Sequence, residues 1–304
     1  MIVLGIETSC DDSAVALVED GYKVIGSSIS SQIHSATGGV IPEKASRMHI
    51  EVLPILVNDL LVRFKSVKID KLAVTTNPGL IPSLLVGISF TYGYALSQNL
   101  EVVDINHLYS HVYANILEHR DIEFPHISLL VSGGHTQIIK VESPTKMSII
   151  GTTLDDACGE AFDKVARMFN LGYPGGPIVS KLALNGNEKA IDFPRPMRNS
   201  KDFNFSFSGL KTAVKRYIDS GVDFRREDVL ASFQYAACDI LIEKTIKAAR
   251  SLSISTITLS GGVAANSRLR QELLKYSDQF KIYYPDILLC GDNAVTVAGL
   301  AYHY

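Results

Sequence analysis

Two histidines four residues apart, in Asn106-His107-Leu108-Tyr109-Ser110-His111, have the residue type and the spacing that could do chemistry in this chain. They follow an apolar run, residues 102–105, and open a segment that reads as a helix through Glu118. Residues four apart stand one turn from each other on one helix face, so both imidazoles can converge on one divalent metal ion. The same spacing also suits two histidines that pack or cap near a helix start. Asp292, in Cys290-Gly291-Asp292-Asn293, would be a hard oxygen ligand beside them if the closing helix returns to the first half of the chain. As an N-cap of that helix it would need no further role.

Polar turns are the second source of chemistry. Thr8-Ser9-Cys10-Asp11-Asp12 and Ser132-Gly133-Gly134-His135-Thr136 are each flanked by apolar runs, and Ser260-Gly261-Gly262 leads toward Asn266 and a helix. Glycine lets backbone N–H groups approach phosphate oxygens closely, and a helix start favours an anion. Any one such turn is more often a plain connection. Asp156, Glu160 and Asp163 fall near one helix face, either as a solvated face paired with Lys164 and Arg167 or as a carboxylate group for ribose or an amine. Pro174-Gly175-Gly176-Pro177 is a rigid turn just beyond. From Arg195 to Arg226 eight basic residues stand against three acidic ones, with Phe203, Phe205 and Phe207 alternating among them. That stretch reads either as an edge strand burying one face or as a basic, RNA-facing surface.

Composition bounds the class. Apolar residues make up 46% and charged ones 20%, as in globular proteins, and 304 residues exceed one average core, so two domains are expected. Each apolar run is interrupted short of the ~18 residues of a membrane span. The opening run has no basic region before it and reads as a strand, not a secretion signal. Cys10, Cys158, Cys238 and Cys290 are widely spaced, which fits a reduced cytoplasmic protein and excludes a cysteine-rich zinc module. A net charge of −3 leaves any nucleic-acid surface to a local patch.

The elements that must position these residues come twice. Residues 2–7, 14–18 and 24–29 read as three strands; Gly38-Gly39-Val40-Ile41-Pro42 then leads into a helix with Ile50, Leu53, Leu56, Val57, Leu60 and Leu61 at helical spacing. Pro54 inside that pattern predicts a kink or break. A strand at 69–75, a helix at 83–97 and a strand at 102–105 follow. The second copy has strands at 127–131, 137–141 and 147–152, helices at 155–170 and 229–252, a strand at 256–259, a helix at 265–275, a short strand at 281–284 and a closing helix at 294–302. Residues 172–228 form an insertion. This pattern predicts an α/β, two-lobed duplicated actin/Hsp70/sugar-kinase-like (ribonuclease H-like) fold, with the polar turns facing an inter-lobe cleft. The first lobe is expected to be 1–106 plus 286–304, and the second 107–285.

Gly5-Ile6-Glu7-Thr8-Ser9-Cys10-Asp11-Asp12, Gly39-Val40-Ile41-Pro42-Glu43, the His107–His111 pair, Leu130-Val131-Ser132-Gly133-Gly134-His135-Thr136, the stretch from Asp156 to Lys164, Tyr173 to Pro177, Phe205 to Lys211 and Gly261 to Asn266 occur in this order. Together they closely resemble the bacterial TsaD type of the tRNA threonylcarbamoyladenosine transferase family, over essentially the whole chain. The resemblance implies metal-assisted transfer of a threonylcarbamoyl group from threonylcarbamoyl-AMP to the exocyclic amine of the adenosine next to the anticodon, in tRNAs reading codons that begin with A. By carry-over His107, His111 and Asp292 would hold one iron or zinc ion, with Asp11 beside them as a catalytic residue. Leu130, Val131, Ser132, Gly133, Gly134, Asp163, Gly176 and Asn266 would bind the adenylate, and the site would also accept ATP, ADP or AMP. The implied partners are tRNA, a homologous TsaB-like subunit in a heterodimer, a TsaE-like ATPase and a TsaC-type synthase that supplies the substrate.

Two rival activities make different demands on these residues. A secreted zinc protease needs Glu directly after the first histidine, as in H-E-x-x-H, and Leu108 stands there. An O-carbamoyltransferase acting on a small hydroxylated acceptor is the closer rival, against which the stretch from Phe205 to Lys211 favours tRNA.

Overall fold

The computed structural model describes residues 1–32 and 39–304, so Gly38 of the expected Gly38-Gly39 step lies outside the described residues. The chain divides into two compact units, Met1–Arg120 with Gly291–Tyr304, and Asp121–Cys290. In the first unit β1 (Ile2–Glu7), β2 (Asp12–Glu19) and β3 (Lys23–Ser31) form an antiparallel meander, and β4 (Lys71–Asn77) and β5 (Glu101–Asn106) extend it in parallel on the other side of β1. The order is β3-β2-β1-β4-β5. Helices α1 (Pro42–Arg63) and α2 (Ile81–Gln98) connect the strands, and α3 (His107–Glu118) follows β5 directly.

The second unit repeats the plan. β6 (His126–Val131), β7 (Thr136–Ser143) and β8 (Lys146–Thr152) form the meander, and β9 (Thr256–Ser260) and β10 (Lys281–Tyr283) add in parallel, giving β10-β9-β6-β7-β8. Strand for strand this is the first sheet again, so the duplication read from hydropathy is present in the topology. Between β8 and β9 come α4 (Cys158–Met168), α5 (Gly175–Ala183), α6 (Ser208–Asp219) and the long α7 (Arg226–Ser251). A 3-10 turn at Gly262–Ala265 and α8 (Ser267–Leu274) follow β9; α9 (Ile287–Cys290) ends the unit, and α10 (Ala294–Ala301) belongs to the first.

Packing of α3 moves the expected domain boundary. The Tyr113 hydroxyl donates to the Gly21 carbonyl (3.1 Å) and meets Nε2 of His303 (2.9 Å), which ties α3 to the β2–β3 turn and the chain's end. The unit therefore extends to Arg120, and the histidine helix lies in the first unit rather than the second. α10 lies directly on β1: a Cβ on Gly5 would come within 2.6 Å of the Ala294 carbonyl. That close approach brings the residues just before α10 to the end of β1. Of the kink or break expected at Pro54, the break does not occur, because α1 runs through it. Leu53, Val57 and Leu60 bury one face of α1 while Pro54 sits on the exposed face, where a missing N–H costs least.

One buried group makes the second unit sensitive to acid. His126 is wholly buried, and among the described residues neither ring nitrogen has a hydrogen-bond partner of good geometry. Burial pushes the imidazole down to about 4, and the backbone near Glu123 offsets only part of this. The folded value lies below the ordinary 6.5, so the stability at stake is fully present above that value and is lost as pH falls toward 4. Denaturant unfolding at about pH 7.5 and about pH 5 is expected to show a loss of about 2 kcal/mol that His126→Leu removes.

Candidate metal centre and ligand cavity

The first unit gathers a compact set of metal-ligating groups. Asn106 caps α3: its Oδ1 accepts from the backbone N–H of Leu108 (2.9 Å) and Tyr109 (3.2 Å). With the helix started there, His107 and His111 face the same side, their ring centroids 4.6 Å apart. Asn293, not Asp292, caps α10 by accepting from Thr296 N–H (3.0 Å). The Asp292 carboxylate is thereby left to face the histidines, with Oδ1 3.2 Å from Nε2 of His111 and 3.7 Å from Nε2 of His107. The ligand atoms of the three residues all lie within 4.8 Å of one another. Nε2 of His111 is buried without a hydrogen bond of acceptable geometry. Two imidazoles and one carboxylate, with a ring nitrogen 3.2 Å from the carboxylate, suit a divalent ion such as zinc or iron.

Charge points the same way. Burial alone would depress His107, but the Glu7 and Asp292 carboxylates overcome it and hold the imidazole up at about 9. Asp292 is kept well below the usual carboxylate range: His107 and His111 outweigh its burial. Burial, reinforced by Asp292, Asp11 and Glu7, raises Asp12 to about 6 against the pull of Ser31. A site so rich in carboxylate favours a cation. Asp11 lies half-buried in the same β1–β2 turn, next to Cys10, and is not one of the three converging donors. Burial, then the neighbouring Asp11 carboxylate, raises the Cys10 thiol.

His49 fixes that turn from outside. It is wholly buried on α1, and its ring nitrogens meet the Ser13 hydroxyl (2.6 Å) and the Cys10 carbonyl (3.0 Å).

The second unit holds a cavity of about 530 Å³, the size of a nucleotide-scale ligand. Of the eight residues expected to bind adenylate, Gly133, Asp163, Gly176 and Asn266 line it. Leu130 and Val131 do not; they are buried strand residues of β6 that carry the turn after them. Ser132 and His135 close that turn by backbone and side-chain hydrogen bonds, leaving Gly133 on the cavity wall and Gly134 off it. Asp163 accepts from the Gly175 N–H (2.7 Å) and holds the start of α5 against α4. The Asn266 amide is committed already: Nδ2 donates to Ser180 (2.8 Å) and Gln234 (2.9 Å), and Oδ1 caps α8 through Leu269 N–H. It shapes the wall. Phe162, Tyr173 and Val263 supply apolar lining; each stands within one of the motifs, but none was among the residues expected to bind the adenylate.

Other expectations change with the partners found. Asp156 binds Lys164 (2.7 Å) and Lys211 (2.6 Å), and Lys164 also binds Glu160, so these acids form a paired face. Phe205 and Phe207 are wholly buried, which removes them as stacking platforms for RNA bases. Of the eight basic residues from Arg195 to Arg226, six form ion pairs with acids: Arg195, Arg198, Lys211, Lys215, Arg225 and Arg226. Glu7 and Ser9 both lie against His107; Ser9 belongs to the expected polar turn, while the signal for Glu7 is an acid ending an otherwise apolar strand.

Residues 23–299 match the family model described as TsaD: tRNA N6-adenosine threonylcarbamoyltransferase. Proteins of that name from Thermosipho melanesiensis and Fervidobacterium nodosum are 51% and 50% identical, over 99% and 98% of this chain and 94% and 91% of theirs. Among solved structures, HypF from T. kodakarensis superposes with a TM-score of 0.68 at 14% identity, over 99% of this chain and 47% of its own. Component A of the Acidaminococcus fermentans (R)-2-hydroxyglutaryl-CoA dehydratase gives 0.59 at 15%, over 100% and 98%. At such identities the likeness is one of fold, the actin and sugar-kinase type.

Proposed function

The chain belongs to the TsaD family, and on that premise we propose that it transfers the threonylcarbamoyl group of threonylcarbamoyl-AMP to the exocyclic amine of the adenosine next to the anticodon, in tRNAs reading codons that begin with A. The observation that carries this reading is the convergence of His107, His111 and Asp292 in a chain half identical to such transferases. As the amine nitrogen bonds to the carbamoyl carbon, the bond from that carbon to the AMP phosphate oxygen breaks, and the amine gives up a proton. A zinc or iron ion held by the three residues would supply Lewis acidity and a template for substrate oxygens. Asp11 joins them as the catalytic carboxylate in the adjoining turn. In the second unit, Gly133 and Gly262 would let backbone approach the adenylate, while Asp163 and Asn266 keep the walls of its cavity in place. The same cavity would take ATP, ADP or AMP.

Transfer is tested by mixing the protein, threonylcarbamoyl-AMP and unmodified tRNA, with and without partner subunits, and weighing the digested nucleosides. A mass gain on adenosine is expected. Carbamoylation of a small hydroxylated acceptor instead, with every partner present, would move the chain to the carbamoyltransferase reading.

The partners assigned are a TsaB-like homologous subunit, a TsaE-like ATPase and a TsaC-type synthase upstream, all in the cytoplasm. Among the described residues no helix is long and apolar enough to cross a membrane. Support for a protein partner comes from α1 and α2, where the exposed Ile50 and Leu85 line one shallow pocket and Ile55, Val62, Ile81 and Leu96 are exposed as well. Apolar side chains grouped in this way mark an interaction surface. Leu85→Asp is expected to weaken heterodimer formation more than tenfold by light scattering or calorimetry, with the melting temperature of the isolated chain unchanged.

A further inference from the structure

Glu7 ends β1, a strand that is otherwise apolar, and is 1% exposed. A carboxylate so buried is costly unless its oxygens are matched by donors. Three donors reach it: the Ser9 backbone N–H at Oε1, and at Oε2 the Thr75 hydroxyl (2.6 Å) and Nδ1 of His107 (3.1 Å). The nitrogen it meets is not the one that faces Asp292, and Glu7 is not among the converging ligand groups. We propose that Glu7 is the positioning residue of the metal centre, holding His107 in the tautomer whose Nε2 lone pair faces His111 and Asp292. The proposal rests on the reading of those three residues as metal ligands.

The reason lies in what each partner can do. A neutral imidazole carries one N–H, and the partner of one nitrogen decides the state of the other. The Ser9 hydroxyl also lies 3.1 Å from Nδ1, but a hydroxyl can donate or accept and so leaves the tautomer open. A carboxylate only accepts. In the neutral ring that a metal requires, Nδ1 beside Glu7 carries the remaining proton and Nε2 is the bare nitrogen.

Glu7→Gln tests this with little change of shape. The Ser9 N–H can only donate, so the amide oxygen must stay on its side. The amide NH2 then takes the place of Oε2, facing a Thr75 hydroxyl that can turn round and an Nδ1 that must accept. The His107 proton moves to Nε2, where a metal needs a lone pair. Thr75→Val removes a donor to the same carboxylate without asking Nδ1 to accept, and so reports a merely structural role.

Co(II) alone is the probe, added to metal-free full-length protein. Affinity is read by competition with a chromophoric chelator, and geometry by the visible absorption of the bound ion. Glu7→Gln is expected to weaken Co(II) binding about 10- to 100-fold and to shift the spectrum, while Thr75→Val lowers the melting temperature and leaves affinity within about threefold of the parent. Glu7→Gln with parental affinity and spectrum, or an equal loss in both variants, would overturn the proposal. His111→Ala binding Co(II) as the parent does would overturn the ligand set, and the proposal with it.

Discussion

His111→Ala is expected to abolish tRNA modification while leaving a folded protein. The imidazole removed carries the buried Nε2 that stands 3.2 Å from Asp292, so one of three converging donors is lost at its core. Removing even an outer partner of a metal ligand costs about 10- to 100-fold in affinity or activity, and removing the ligand itself should exceed that. Helix α3 does not depend on this side chain. Its start is capped by Asn106 and its middle is tied through Tyr113 to Gly21 and His303. The checks are metal content of the purified variant, its melting temperature, and nucleoside mass after a single turnover. Wild-type transfer by a variant that holds no metal would take the ion out of the reaction.

Gly262→Val is expected to lower transfer by about 10²-fold or more through the cavity rather than the metal. An added Cβ at Gly262 meets nothing within 4 Å, and the residue lines the cavity, so the new side chain fills the space proposed for the adenylate. The fold has no reason to object. Its neighbour gives the opposite result: Gly261 has a φ of +84°, and a Cβ there would lie 2.5 Å from the Val131 carbonyl. Gly261→Val should cost about 3 kcal/mol of stability. AMP binding by calorimetry and thermal melting separate the two. Normal AMP affinity in folded Gly262→Val would place the adenylate elsewhere.

Much of this was legible because it is local. Strand alternation, the meander repeated after residue 126, and a histidine pair at helical spacing depend on neighbours a few positions apart. Hence the two sheets and α3 stand near their expected limits. The eight motifs, taken together, named the family before any coordinate did.

Partner choice is not local, and there the structure decided. Whether Asp292 caps a helix or faces a histidine depends on Asn293 taking the cap first. Whether Asp156 serves a ligand depends on Lys211, 55 residues away, reaching it. Phe205 and Phe207 have the same alternation whether they pack inside or stack outside, and only the completed core buries them. Glu7 and His107 are 100 residues apart, joined because β1 pairs with β4, β4 pairs with β5, and β5 runs into α3. Residue type and spacing were enough to propose a metal, and the transferred group followed from the family resemblance alone. The hydrogen bonds that leave each ligand free to bind exist only once distant strands have paired, because each donor and acceptor goes to the nearest partner the fold supplies.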